Sequence, residues 1–334
     1  MKKTVAVLLL CLSLTACAAP AETGGVLERA SGLDEEETLF TVDGRDVPAW
    51  RYLYWLAYTC ERVAARYRDA GAALDWQAPL DGGTLADYAK DQALADTALY
   101  ATVENWAEWY GVTLSDEQRQ AIADAWDRKA GTEYLERSAA LGLDRDRALE
   151  LETVGALYAG LQALQRQEGG PLAPSREDLA AFAEQSGWMT VDRVLISAGN
   201  DRDAARERAA EAFAKLNGAQ DQAAVFDALA KTGDDPVGPR TILPGDGQLP
   251  QELEEAARTL EAGQCSGILE SDEGFSILRR LAPETVGLAG DYFDSRLQEA
   301  AAGAEVTLTE AYEKLDPAAF YKKLETIRAE KTKE

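Results

Sequence analysis

The chain has 334 residues, of which 59 are acidic and 34 basic, and its formal net charge is −25. It contains no histidine, which excludes the usual general base near neutral pH, the Ser-His and Cys-His nucleophile pairs and the commonest metal ligand. A surface this acidic repels phosphate backbones, so a nucleic acid partner is not expected. The charge either keeps the protein soluble or favours basic clients. The length allows two domains with a substantial core.

The first residues predict an export signal. Two lysines open the chain, and the apolar run 5–14 is too short to span a bilayer permanently. The run ends in Leu14-Thr15-Ala16-Cys17, which resembles the lipobox of bacterial lipoproteins. The resemblance implies that a signal peptide, residues 1–16, is removed and that Cys17 is acylated, which would anchor the protein to the outer face of the bacterial cell membrane. The alternative is an ordinary signal peptide that happens to end near a cysteine.

The segment that follows the signal, residues 17–38, is rich in glycine and acidic residues and has few apolar residues to bury. Such a composition cannot offset the entropy lost on ordering. We therefore expect this segment to be a flexible leash.

From residue 39 onward the pattern predicts a strand, a turn and a series of helices. A capping box opens a helix at Ser115, and the other helices are expected at 50–67, 85–110, 132–140, 144–167 and 174–185. The sequences TVDGRDVPAWRYLYWL and WYGVTLSDEQ resemble the strand-turn-helix entry and a helix-connecting turn of PrsA-like and SurA-like foldases. The resemblance implies that residues 39–186 form a helical chaperone domain.

Six of the seven tryptophans lie between Trp50 and Trp126. An aromatic cluster of this kind can line a groove that holds unfolded chains, because rings give a large contact area at low entropic cost. The alternative, which we prefer, is that these side chains are the core of a helical domain.

Between residues 188 and 282 the pattern changes to strand, helices, strand, turn and strand, which is typical of a small α+β domain. The sequences VDRVLIS and LPQELEEAARTLEAGQCSGILESDEGFSIL resemble the first strand and the second half of a parvulin-type peptidyl-prolyl isomerase. The resemblance implies a parvulin-like domain inserted at 188–282.

The resemblance also indicates candidate site residues. Leu249 and Leu253 stand where the family grips the proline ring, and Phe275 remains as a third apolar position. Arg193 and Ser276 stand where the family has its two histidines. An arginine and a serine can form a hydrogen bond, but they cannot share a proton as two imidazoles can. Each residue also has a structural interpretation, namely core packing for the leucines and surface strand positions for Arg193 and Ser276.

After the parvulin-like segment, a helix is expected at 292–302. The sequence VTLTEAYEKLD resembles the C-terminal segment with which the foldase family returns to its N-terminal domain. The resemblance implies that residues 284–320 rejoin that domain. Residues 321–334 are interpreted as a charged tail.

No motif for a metal, nucleotide or other cofactor is present: the sequence lacks Cys-x-x-Cys, a P-loop and a dinucleotide-binding glycine pattern. We expect no cofactor and no metal. The acidic pairs Asp234-Asp235 and Glu254-Glu255 are interpreted as solvated surface. Cys60 and Cys265 fall in different predicted domains, and two separate thiols are preferred over a disulfide.

Together these observations predict an α+β protein: a mainly helical SurA/PrsA-like chaperone domain with a small inserted parvulin-like α+β domain. The expected function is that of a membrane-anchored extracytoplasmic foldase that binds unfolded exported polypeptides and has weak isomerase activity. A fully active prolyl isomerase with a substituted Arg/Ser site remains open. A solute-binding lipoprotein fits poorly, because one small α+β unit among helices does not make two α/β lobes.

Overall fold

The computed structural model describes residues 24–80, 82–129, 131–285 and 287–331. The predicted signal peptide and Cys17 lie outside the described residues. Within them, contacts divide the chain into two compact units, one formed by 24–160 with 297–331 and the other by 161–296. Helices dominate and the strands form small sheets, which confirms the predicted mainly helical α+β class. No helix in these stretches is both long and apolar enough to cross a membrane.

In chain order the elements are α1 (Val26–Ser31), β1 (Thr38–Val42), β2 (Arg45–Pro48), α2 (Ala49–Asp69), β3 (Pro79–Leu80), β4 (Gly83–Thr84), α3 (Leu85–Trp109), α4 (Asp116–Asp127), α5 (Glu133–Ala140), α6 (Arg145–Gln165), α7 (Arg176–Gln185), β5 (Met189–Ser197), α8 (Arg202–Asn217), α9 (Gln222–Thr232), β6 (Arg240–Ile242), α10 (Gln251–Thr259), β7 (Leu269–Ser271), β8 (Gly274–Leu281), α11 (Ala289–Ala302), β9 (Val306–Leu308), α12 (Glu310–Lys314) and α13 (Pro317–Lys331). The helices predicted at 50–67, 85–110, 132–140 and 144–167 are present within two residues at each end. The capping box at Ser115 is also confirmed, since its hydroxyl accepts a hydrogen bond from the backbone N–H of Gln118.

In the first unit, the segment that follows the second unit in sequence pairs with strand β1. Strand β1 lies between β2 and β9, and the pairing of β1 with β9 is antiparallel, with Phe40 opposite Leu308. Phe40, Tyr52 and Tyr312 form a trio of edge-to-face rings with centroids 5.2–5.7 Å apart. These aromatic contacts join strand β1, helix α2 and helix α12 in one core.

Most of the clustered tryptophans belong to that core. Trp50 and Trp126 are buried, while Trp55 and Trp76 are partly buried against the same cluster. Trp106 is half-buried outside this core, and Trp109 is exposed over 63% of its surface. The core interpretation is therefore confirmed for most of the cluster.

The charged tail predicted at 321–334 is wrong for its described part. Residues Pro317–Lys331 form helix α13, which packs against α1. Phe320, Leu324 and Ile327 are buried in the core of the first unit, and their spacing of four and three residues places them on one helix face. Many charged residues lie between these three positions, and they concealed the apolar stripe.

The flexible leash predicted at 17–38 is also wrong for its described part. Helix α1 buries Leu27 and Ala30, which lie one turn apart. The buried carboxylate of Glu35 accepts a hydrogen bond from the backbone N–H of Glu28 at 2.8 Å and one from Arg147 at 2.6 Å. Because a buried carboxylate needs such partners, these contacts hold the segment against the helical body.

The second unit is built on a four-stranded antiparallel sheet with strand order β6-β5-β8-β7. Strands β5 and β8 pair from Thr190 opposite Leu281 to Ser197 opposite Gly274. Helices α8 and α9 cover one face of the sheet, and α10 covers the other. Gly274, the first residue of β8, has φ +141°, and a Cβ there would clash with the backbone at the end of β5. Only glycine therefore fits at this position.

The second unit extends beyond the predicted limits of 188 and 282. The side-chain amide of Gln165 donates a hydrogen bond to the carbonyl of Ala289 at 3.0 Å. The ring centroids of Phe182 and Tyr292 lie 5.6 Å apart. Helix α7, the end of α6 and most of α11 therefore belong to this unit.

We predict that a fragment of residues 187–283 folds alone with a cooperative thermal transition, because it contains every member of the two hydrophobic clusters that cover the sheet. Circular dichroism at 222 nm during heating measures this. A fragment of residues 161–296 is the matched control, since it adds the packing of α7 and α11. If 187–283 is unfolded while 161–296 melts cooperatively, the flanking helices are needed and the prediction is wrong.

Candidate functional site

The alternation of side chains along β5 and β8 separates the predicted site residues onto two faces of the sheet. Arg193 pairs with Leu278, and Ser276 pairs with Leu195, so Arg193 and Ser276 are diagonal neighbours on the face that α10 covers. Phe275 points to the opposite face, where it packs under α8 and α9. The sheet thus brings Arg193 and Ser276 together and excludes Phe275 from their side.

Arg193 and Ser276 form the hydrogen bond that their chemistry allows. The Nε of Arg193 donates to the Oγ of Ser276 at 3.0 Å, and Nη2 donates to the carboxylate of Glu273. The Nη1 of Arg193 lies 3.9 Å from the Oδ2 of Asp235. Arg193 is 7% exposed and Ser276 is fully buried. The interpretation of both as surface strand positions is therefore wrong.

Asp235 and Arg240 complete this charged network. The interpretation of Asp235 as solvated surface is wrong, since it is half-buried, and Arg240 was not predicted. The Nη2 of Arg240 contacts both carboxylate oxygens of Asp235, at 2.8 and 2.7 Å. The neighbouring Asp234 accepts a hydrogen bond from the backbone N–H of Ser197 at 2.7 Å, which fixes the loop at the end of β5. The loop that carries Asp235 has no clean match in the resemblance to the parvulin family, so the resemblance gave no signal for this residue.

The two predicted proline-gripping leucines are part of the core. Leu249 is 6% exposed and Leu253 is fully buried, and both pack with Met189, Ile242 and Leu278. A side chain that fills the space between α10 and the sheet offers no open cup on that side. The structure supports the packing interpretation of these residues.

Glu254 lies beside these leucines, and its interpretation as solvated surface is wrong because it is buried. Its Oε2 accepts a hydrogen bond from the backbone N–H of Gly245 at 2.9 Å. Its Oε1 accepts none from the described residues. The carboxylate thus ties the loop before α10 to that helix.

The opposite face of the sheet carries a second buried charge pair. The Nη2 of Arg279 donates to the Oδ2 of Asp192 at 3.1 Å, and its guanidinium carbon lies 4.6 Å from the ring centroid of Phe226. Arg202 and Arg206 lie over the ring of Phe275 at 5.3 and 5.4 Å. Phe275 is thus enclosed by core residues and arginines, and the three predicted substrate-binding residues do not form one site.

Cys60 and Cys265 are both unpaired thiols. Burial raises the pKa of each thiol above its usual value, which disfavours the reactive thiolate. In the described stretches, His, Cys, Asp and Glu side chains nowhere gather in groups of three or more that could hold a metal ion.

The α10 side of the sheet thus presents fixed charges and hydrogen bonds. A guanidinium is not deprotonated in proteins, so the Arg193–Ser276 pair cannot exchange a proton in the way two imidazoles do. The network can orient the backbone around it.

The second unit thus combines a small antiparallel sheet with two helices on one face and one on the other, and an Arg–Ser pair joins its central strands. Residues 189–285 match the model of the PPIC-type PPIASE domain family. The resemblance of this segment to a parvulin-type peptidyl-prolyl isomerase domain, predicted from the sequence, is thus confirmed. No curated protein matches the chain.

Solved structures similar to the chain include foldases and chaperones. PrsA from Bacillus cereus, described as a peptidylprolyl isomerase, is 14% identical over 88% of this chain and 93% of that one, with a TM-score of 0.27. PrsA from Bacillus subtilis is 13% identical over 89% and 93%, with a TM-score of 0.25. A SurA-like chaperone of Campylobacter jejuni is 13% identical over 68% and 92%, with a TM-score of 0.23.

Replacing Arg193 with alanine should destabilise the protein by about 2–3 kcal/mol, because the buried hydroxyl of Ser276 and the carboxylates of Glu273 and Asp235 lose their partner. The value lies below the roughly 3–5 kcal/mol of a fully buried pair, since Glu273 is half exposed. Urea titration measures the free energy of unfolding. Arg258→Ala, on the exposed side of α10, is the control and should change it by less than about 0.5 kcal/mol. Equal effects of the two variants would show that the network does not stabilise the sheet.

Proposed function

We propose that the protein is an extracytoplasmic foldase that binds unfolded polypeptides and catalyses prolyl isomerisation only weakly. The observation that carries the proposal is the buried guanidinium of Arg193, which hydrogen-bonds Ser276 and Glu273 on the face where the family's paired histidines would lie. The parvulin-type domain match of 189–285 supports the family assignment on which the proposal rests.

The weakness of catalysis follows from what isomerisation requires. An X-Pro bond crosses a barrier of about 18–20 kcal/mol, and a catalyst must bind the twisted amide more tightly than either planar form. An apolar cup for the proline ring and mobile polar groups would provide this. Leu253 is fully buried, and the Oγ of Ser276 already accepts a hydrogen bond from Arg193. A substrate could reach Ser276 only by displacing a paired charge.

The roles assigned to individual residues follow the same argument. We propose that Arg193 and Ser276 shape the α10 side of the sheet and give little catalysis. Leu249 and Leu253 support that surface from below. A contact of substrate with Phe275 would require a second binding surface, because Phe275 lies on the other face.

Binding of unfolded chains is supported by the apolar side chains that each unit leaves exposed. The second unit exposes Val237, Leu243 and Ile268, at 68, 36 and 37%. The first unit exposes Trp109 and Leu80, at 63 and 47%. Exposed apolar patches mark protein–protein interaction sites, and the net charge of −25 would draw basic segments to them.

The location outside the cytoplasm and the anchor rest on the N-terminal sequence. We propose that the Leu-Thr-Ala-Cys ending of the apolar run directs cleavage before Cys17 and acylation of that residue. More than one acyl chain on a protein gives stable attachment to a bilayer. The protein would then act where exported chains emerge.

The isomerase prediction is tested by protease-coupled proline isomerisation with the protein from residue 18 onward. We expect a rate close to that of the uncatalysed reaction, together with suppressed aggregation of a reduced, unfolded exported protein. The reason is that loss of one transition-state contact typically costs about 10²–10³ in rate, and here the whole pair is replaced. Vigorous catalysis that Arg193→Ala or Ser276→Ala abolishes would instead establish the alternative, a fully active isomerase with an Arg/Ser site.

A double substitution, Arg193→His with Ser276→His, gives the matched comparison in the same assay. Two imidazoles should restore a proton-sharing pair, so isomerisation should rise above that of the unmodified chain if substrate can reach this face. Circular dichroism of the variant shows whether it is folded. A folded variant with an unchanged rate would mean that the leucine packing closes the face, and catalysis would then be absent for that reason.

Acylation is tested with Cys17→Ala in a bacterial host that processes lipoproteins. We expect the variant to be released from the membrane fraction or to remain uncleaved, because it lacks the thiol that carries the lipid. Cys60→Ala, which removes an unpaired thiol of the helical body, is the control and should fractionate like the unmodified protein. Identical fractionation and migration of Cys17→Ala and the unmodified protein would contradict the anchor.

A further inference from the structure

The first unit contains a basic pocket of about 610 Å³ in an otherwise acidic protein. Four arginines line it and converge from three helices: Arg62 and Arg68 from α2, Arg137 from α5 and Arg328 from α13. Glu61 is the only acidic residue among those that line it. Positive charge is concentrated in one concavity of a chain whose net charge is −25, and such a concavity focuses the field on anions.

Two of the four arginines are committed to Glu61. The Nη1 of Arg328 lies 2.8 Å from one carboxylate oxygen of Glu61, and the Nη2 of Arg68 lies 3.5 Å from the other. The hydroxyl of Tyr321 donates to the same carboxylate at 3.1 Å. Burial raises the pKa of Glu61, but the hydrogen bonds from Arg328 and Tyr321 outweigh it, and the pKa is lowered overall. Glu61 is therefore ionised and offsets part of the pocket's charge.

The other two arginines keep their charge available to a ligand. Arg62 lies over the ring of Tyr58 at 5.7 Å. It forms no salt bridge with any residue that the structure describes, and the one carboxylate on which its charge acts, that of Asp96, does not line the pocket. Arg137 is paired with Glu133 one helical turn away, and both side chains are mostly exposed. A pair of this kind is weak and readily exchanged. Two guanidinium groups that line the pocket thus have no close, buried counter-ion.

The wall beside these guanidinium groups is aromatic and apolar. Tyr54, Tyr58 and Leu141 line the same pocket, and Tyr58 packs edge-to-face against Trp55 at 5.7 Å. Such a wall accepts an apolar side chain, while the guanidinium fork matches the two oxygens of a carboxylate.

We propose that this pocket binds a carboxylate of a polypeptide client, presented beside an apolar residue. The inference rests on the proposed function, because it takes the ligand to be an unfolded chain. The acidic surface repels aspartate and glutamate elsewhere, so the pocket is where an acidic segment can be accepted. With this pocket the protein would accept acidic segments of clients in addition to the basic segments that its net charge favours.

The test measures fluorescence anisotropy of labelled ten-residue peptides with the full chain. One peptide carries an Asp-Glu pair beside Leu, and its partner carries Asn-Gln at the same positions. The acidic peptide should bind more tightly than the neutral one. Arg62→Gln with Arg137→Gln should weaken binding of the acidic peptide by about tenfold and leave binding of the neutral peptide unchanged. Arg66→Gln, an exposed arginine of α2 that does not line the pocket, is the matched control and should have no effect.

Charge reversal at the same two positions is the second test, for the case in which the glutamine substitutions leave binding unchanged. Arg62→Glu with Arg137→Glu should reverse the preference, so that a peptide with a Lys-Lys pair binds more tightly than the acidic one. Equal binding of the acidic and neutral peptides to the unmodified chain would overturn the proposal. Displacement of the acidic peptide by inorganic phosphate, but not by acetate at the same concentration, would also overturn it and identify a phosphate site.

The outcome can be separated from that of the proposed function by a second measurement. Suppression of aggregation of a basic client should be the same in the unmodified chain and in the pocket variants. If the unmodified chain suppresses no aggregation, the proposed function fails. If it suppresses aggregation but shows no preference for the acidic peptide, only the pocket inference fails.

Discussion

A permanently charged guanidinium buried in the central sheet constrains the whole parvulin-type domain. An unpaired charge in the interior costs far more than a small domain can tolerate, so Arg193 requires Ser276, Glu273 and Asp235 as partners. These partners come from β8, from the turn before it and from the loop before β6. One ion network therefore fixes both segments that border the α10 side of the sheet.

Strand alternation decides which side chains can act together on this framework. Successive residues of β8 point to opposite faces, so Ser276 joins Arg193 under α10 while Phe275 packs under α8 and α9. The second face has its own buried pair, Asp192 with Arg279. The sheet thus carries one charged network on each side. The network around Arg193 joins the turn and the loop that border the sheet, whereas Arg279 also contacts Asp227 of α9.

Sequence patterns predicted the elements whose signals are local. The capping box at Ser115, the long helices and the two central strands needed only spacing and turn residues to be found. The burial of Arg193 could not be predicted, because its counter-ions Glu273 and Asp235 are distant in sequence and only the fold brings them near. Helix α13 was missed for a different reason: its many charged residues concealed the spacing of Phe320, Leu324 and Ile327, which is visible once a partner surface is known.

A network of fixed charges changes the kind of activity that the parvulin framework can support. Catalysis requires groups that bind the twisted amide better than the planar one, whereas holding requires only equal binding of both. Arg193 has its donors directed at Ser276 and Glu273, so it has little capacity to respond as a substrate changes shape. A surface that contacts each form of the proline bond equally gains affinity without gaining rate. This is the physical reason for the proposal that the Arg193–Ser276 pair supports binding of polypeptides more than isomerisation.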